Sequence, residues 1–148
     1  MIEVIVQRAT GQSGMPGDED FERWIEAVFG DRQDHVSVTV RLVDADESRR
    51  LNRRYRDQDK ATNVLSFPAH FPQQLALPDI GDIIICAPVV EHEARQQGKP
   101  SIHHWAHLAV HGVLHLLGFD HVTDEQAELM EIREKLILAQ LGVADPYA

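Results

Sequence analysis

His111, His115 and His121 fall within the eleven residues HGVLHLLGFDH, 111–121. On a helix, side chains four apart project from one face, about 40° apart and one turn apart in height. That spacing lets two imidazoles converge on one cation, which is why zinc sites so often use it. Gly118 can take the left-handed backbone that ends a helix, and only such a reversal brings His121 back to the same ion. Three neutral imidazoles leave a tetrahedral Zn²⁺ with one open position for water. Structural zinc sites are usually closed by four protein ligands, so three favour chemistry. Zinc is the default ion for such a set, although nickel, copper or cobalt could also be accepted.

The residue after the first histidine is Gly112, where a zinc protease would carry its general-base glutamate. No other acid shares that helical face. His104 and His107 fall within about 60° of His111 on the helical wheel and extend the stripe. His107 is expected behind the ligands or in the core, and His104 as a partly buried polar contact. Asp120 should brace the turn, or hold a ligand imidazole by a hydrogen bond. His35, His70, His92 and His103 have no motif around them. Cys86 lies in an apolar run and is expected as buried packing, not a fourth ligand.

The formal charge of −10 argues against a chain that coats nucleic acid non-specifically. Yet residues 49–60, RRLNRRYRDQDK, carry six basic and two acidic side chains, a local +4 on an otherwise acidic body. In a helix Arg49, Arg50, Arg53 and Arg54 share a face that could track a phosphate backbone, since guanidinium binds phosphate bidentately. The alternative is a solvated face whose arginines pair with local carboxylates. Arg56, just past such a helix, is placed to project into a neighbouring cleft.

These side chains need a scaffold. The 148 residues, 43% hydrophobic and 26% charged, suit one globular domain over 1–148. Residues 2–8 and 35–43 read as strands, the first suited to an edge. A helix capped by Asp18 runs through Phe21, Trp24, Ile25 and Val28 to Gly30. Asp44 offers a cap for a second helix ending near Tyr55. A strand over 63–68 is followed by a loop over 70–79 and a short apolar strand, 81–86, that should be central. Pro88 opens a helix ended by Gly98. Ser101 to Leu117 form the most apolar helix, and Thr123 with Gln126 forms a capping box for the last, which stops at Gly142. The order βα βα ββ ααα predicts an α+β domain, a mixed sheet of about four strands packed with helices around the histidine-bearing one. A single cysteine, no signal-peptide pattern and no long apolar run predict a cytoplasmic protein with no membrane partner.

HGVLHLLGFDH closely resembles the signature of the YbeY family, bacterial rRNA maturation factors described as single-metal endoribonucleases. LNRRYRDQDKATNVLSFP at 51–68 and GDIIIC at 81–86 resemble two further blocks of that family, in the same order and separation. Phe119 stands where tyrosine is more usual. The resemblance implies that His111, His115 and His121 hold one Zn²⁺, and that Arg56 is a functional arginine beside it. It matches Asp82 to a residue implicated in partner contacts. Arg53 and Lys60, from the basic island, stand as candidates for binding substrate. The implied activity is a single-strand-directed, zinc-dependent endoribonuclease of rRNA maturation, processing small-subunit rRNA ends, and of ribosome quality control. Its implied partners are rRNA precursor and the ribosomal small subunit or its proteins. The competing readings are an assembly factor with a mainly structural metal, a zincin-like metalloprotease, and a hydrolase of some other phosphorylated or amide substrate.

Overall fold

The computed structural model describes residues 1–32, 34–69 and 79–148. Runs rich in Val and Ile build four strands: β1 (Ile2–Ala9), β2 (Val36–Val43), β3 (Val64–Pro68) and β4 (Asp79–Cys86). Five helices alternate with and follow them: α1 (Asp18–Phe29), α2 (Ala45–Arg56), α3 (Ala87–Gln97), α4 (Ser101–Leu116) and α5 (Asp124–Gln140). The sheet order is β1-β2-β4-β3. β1 and β4 run parallel to β2, while β3 pairs antiparallel with β4 at the far edge. The fold is α+β with a mixed four-stranded sheet, and the apolar strand β4 lies inside it, as its composition predicts.

Side-chain alternation divides the sheet into two unequal faces. Val38, Val40, Leu42, Ile83 and Ile85 turn to one side, where Phe21, Trp24 and Ile25 of α1 and Trp105 and Val113 of α4 complete the main core. Val43, Ile84 and Cys86 turn to the other, under Leu51 of α2 and Val89 of α3. Helix α4 is central: it packs on α1, α3, α5 and both strands of the β3–β4 pair. Among the described residues no helix is long and apolar enough to cross a membrane.

Several boundaries differ from the sequence reading. Gly17, not Asp18, caps α1; its amide is held by Asp20 Oδ2 at 3.0 Å, and Asp18 pairs with Arg8 at 2.8 Å. Asp44 is at the cap of α2, but its carboxylate accepts from Thr10 Oγ1 and makes no cap bond. α2 extends to Arg56, with Asp57 in the left-handed cap conformation, so Arg56 belongs to the last helical turn. Of the expected 70–79 loop, residues 70–78 lie outside the described residues and Asp79 already belongs to β4. The Thr123–Gln126 capping box forms in both directions at 3.2 Å.

Gly112 is where α4 meets the sheet. A Cβ there would lie 2.9 Å from Ile83 Cγ2 and 3.3 Å from both Ser66 Oγ and Val64 Cγ2. The position faces strands β3 and β4 too closely to admit a glutamate without displacing them. Gly112→Ala overpacks a contact with two strands and should lower stability by about 1–3 kcal/mol. A denaturant melt checks this; an unchanged midpoint would mean that the helix is free to lift.

Candidate metal centre

Residues Leu108, Ala109, Val110, Val113 and Leu114 bury α4 in the core, which leaves His107, His111 and His115 along its outer stripe. The helix ends at Leu116, and Gly118 at φ 101° reverses the chain. His121 then returns over the last turn, with Asp120 Oδ1 accepting from the His121 amide at 2.8 Å. Asp120 thus braces the turn.

One ring nitrogen from each of His111, His115 and His121 lies within 4.8 Å of the others. His111 Nε2 and His115 Nε2 are 3.1 Å apart. Ligands about 2.0–2.1 Å from a tetrahedral zinc stand roughly 3.3 Å from one another, so this spacing suits a shared cation. Burial, and the neighbouring His111 and His121, push the His115 pKa down. That favours the neutral imidazole a metal requires. The three residues could hold a metal ion.

Behind them lies a carboxylate that the sequence reading missed. Glu134 of α5 is fully buried and accepts from three directions: His111 Nδ1 at 2.6 Å, His107 Nε2 at 3.0 Å and Tyr147 Oη at 2.6 Å. Burial alone would raise its pKa, but the hydrogen bonds from His107, His111 and Tyr147 outweigh it and bring the value down to about 2. An ionised Glu134 fixes the proton of His111 on Nδ1, which turns the Nε2 lone pair toward His115. Carboxylates commonly set ligand histidines this way. Glu134 also belongs to a second group, with His107 and His111, that could hold a metal. There, however, Glu134 already receives both imidazoles through hydrogen bonds, and His107 lies outside the cleft. A signal was present in the sequence: Met130, Glu134, Ile137 and Leu138 share one helical face, and an acid on an apolar stripe is rarely buried without partners.

The histidines open onto a cleft of about 590 Å³ whose opposite wall includes Arg56, Asn63, Ser66 and Pro68. Arg56 Nη2 donates to the Ser66 carbonyl at 2.9 Å, which is an edge-strand acceptor of β3. Ser66 Oγ in turn donates to the Gly112 carbonyl at 3.0 Å. The structure therefore brings Arg56 into the cleft with the three histidines. It does not bring Arg53 or Lys60 there; both are exposed on the outer side of α2 and its following turn. Asp82 lies on the opposite sheet face, in line with Ile84 and Cys86, and touches neither the cleft nor the histidines. His104 is buried, more deeply than expected, with Nε2 2.9 Å from Glu93. Cys86 is a buried thiol in the sheet, away from the cleft.

The profile of the family described as Endoribonuclease YbeY matches residues 9–142. The chain belongs to the YbeY family. Among its relatives, the endoribonuclease YbeY of Pseudomonas entomophila is 53% identical over 149 residues, covering 100% of this chain and 94% of the relative. That of Alkalilimnicola ehrlichii is 55% identical, covering 92% and 84%. The solution structure of a Thermotoga maritima protein is similar with a TM-score of 0.59 at 28% identity, covering 99% of this chain and 98% of that one. Membership of the YbeY family supports an endoribonuclease role.

Replacing Glu134 by Gln keeps its volume but removes the charge that orients His111. Zinc affinity should fall about 10–100-fold, read by competition with a chromophoric chelator. Undiminished affinity would show that His111 needs no such brace.

Proposed function

We propose that the protein is a zinc-dependent endoribonuclease directed at single-stranded RNA, acting in rRNA maturation at small-subunit rRNA ends and in ribosome quality control. The observation that carries this reading is the shared cleft: three converging imidazoles on one wall and a guanidinium, Arg56, on the other. A bound zinc ion supplies Lewis acidity at a phosphoryl oxygen and lowers the pKa of water. The chain's own groups do the rest. His111, His115 and His121 fix the ion's position, and Glu134 fixes the tautomer of His111. Arg56, oriented by the Ser66 carbonyl, presents its remaining N–H groups to a phosphate and offsets charge as it builds in the pentacovalent transition state. Asp120 is the only carboxylate lining the cleft among the described residues, which leaves it to accept the proton. His107 has no such part, since its Nε2 is engaged by Glu134.

The alternatives fare worse on specific contacts. A protease of the HExxH type needs an acid where Gly112 is pressed against Ile83 and Val64. A mainly structural metal would be expected to tie core elements together. Here the ligands sit at the rim, His121 is exposed, and the core closes behind them.

In this reading Asp82 contacts a protein of the small subunit. Burial and the neighbouring Asp79 raise its pKa above the ordinary 3.8, with Thr39 opposing. The folded state therefore favours the protonated form, and stability falls as pH rises through the window above 3.8. A cation from a partner would relieve that penalty. Asp82→Asn should leave the isolated protein at least as stable at pH 7 by urea titration while weakening its co-sedimentation with small subunits. A less stable variant with undiminished co-sedimentation would contradict the assignment.

The catalytic reading is tested by cleavage of single-stranded RNA by purified protein. Activity should vanish with chelator, return with zinc, and be absent in His115→Ala. Arg56→Ala should lower kcat by about 10²–10³-fold with the metal still bound. Wild-type cleavage that survives full metal removal would overturn the mechanism.

A further inference from the structure

A strip of alternating cations and aromatic rings leads out of the cleft around the β3 edge. The Arg56 guanidinium carbon stands 5.3 Å from the centroid of the Phe67 ring. Phe67 meets Tyr55 edge-on, with centroids 5.3 Å apart at 66°. The guanidinium carbon of Arg54 lies 5.3 Å over the Tyr55 ring. Phe67 has a packing role, against the smaller core cluster; Tyr55 is 51% exposed, outside both clusters. Among the described residues its hydroxyl makes no hydrogen bond. A large ring left in water at the end of a helix, flanked by cations, calls for another explanation.

The local charges favour one. If the basic island were merely a solvated face, its arginines should have found the nearby acids. Arg49 does, pairing with Asp59 at 2.7 Å. Arg50, Arg53, Arg54 and Arg56 make no direct ion pair among the described residues, Arg50 and Arg53 feeling Glu47 and Asp59 only at longer range, although the chain is acidic overall. They remain available to an external anion, on the same helix end that presents the ring.

We propose that Tyr55, backed by Phe67 and flanked by Arg54 and Arg56, is a base-stacking platform for an unpaired nucleotide next to the phosphate held in the cleft. This rests on the nuclease reading and adds to it a second subsite. Alternating guanidinium and aromatic groups match the alternating phosphates and bases of a single strand. A duplex cannot use the platform, because its base faces are already stacked. Arg54 is exposed over the Tyr55 ring, so its guanidinium can yield the ring face to a base or cover a seated base from the other side. The strip thus supplies a physical source for single-strand selectivity in a protein whose net charge repels RNA.

The test compares binding of the zinc-loaded full chain to a short labelled oligouridylate and to an abasic ribose-phosphate strand of the same length, by fluorescence anisotropy. Strand integrity is checked on a gel. Wild type should bind the base-bearing strand more tightly. Tyr55→Ala should lose about tenfold on that strand and nothing on the abasic one, while Tyr55→Phe should retain wild-type binding. Equal binding by Tyr55→Ala and wild type, or an equal loss on both strands, overturns the platform. So does a wild type that binds neither. A wild type that binds with this pattern but cleaves nothing would sink the nuclease reading and leave the platform standing. Cleavage by wild type with unchanged binding in Tyr55→Ala would do the reverse.

Discussion

Ser66 makes two hydrogen bonds, one from its hydroxyl to the Gly112 carbonyl at 3.0 Å and one through its carbonyl from Arg56 at 2.9 Å. Through them an edge strand holds a helix on one side and an arginine on the other. The first bond requires α4 to approach the sheet with no side chain between, which only glycine permits at 112. With that face pinned, the adjoining stripe of the helix carries His111 and His115 to the cleft beside the β3 edge. The second bond places the guanidinium across the cleft from them. The separation of the imidazole cluster and the arginine is therefore fixed by one short strand.

A second constraint acts from behind. The His107–His111 end of the stripe faces Glu134 of α5, and imidazoles are a poor lining for an apolar interface. Glu134 resolves the conflict by accepting from His111, His107 and Tyr147 at once. A fully buried carboxylate with one partner would be costly; with three it stays ionised. The same charge that makes the helix interface tolerable sets the tautomer of His111. Packing and chemistry are served by one side chain.

Much of this was legible in the residues. The i, i+4 histidines, the helix-ending Gly118 and the returning His121 announced the cluster of three imidazoles that could hold a metal ion, because metal geometry dictates spacing along a single helix. Strand β4 was readable as central from its unbroken apolar run, and the Thr123–Gln126 box from local capping chemistry. Contacts between elements distant in sequence were not readable. Glu134 is 23 residues from the histidine it braces, and nothing local distinguishes it from a surface acid except its apolar neighbours. Gly112 was legible as a missing base, but its close approach to Ile83 depends on the sheet. Arg53 and Lys60 share the charge of Arg56 and not its direction, since only the side chain at the helix end can round the β3 edge. Asp18 seemed a cap by type, yet Arg8 of a neighbouring strand claims it.

A metal-dependent cleft requires one ion held by His111, His115 and His121. Elemental analysis of the purified protein, joined to X-ray absorption at the metal edge, measures this directly. The predicted result is one zinc per chain with three imidazole nitrogens at about 2.0–2.1 Å, and a spectrum that changes in His121→Ala. A chain without stoichiometric metal, or a His121→Ala spectrum identical to wild type, would contradict it.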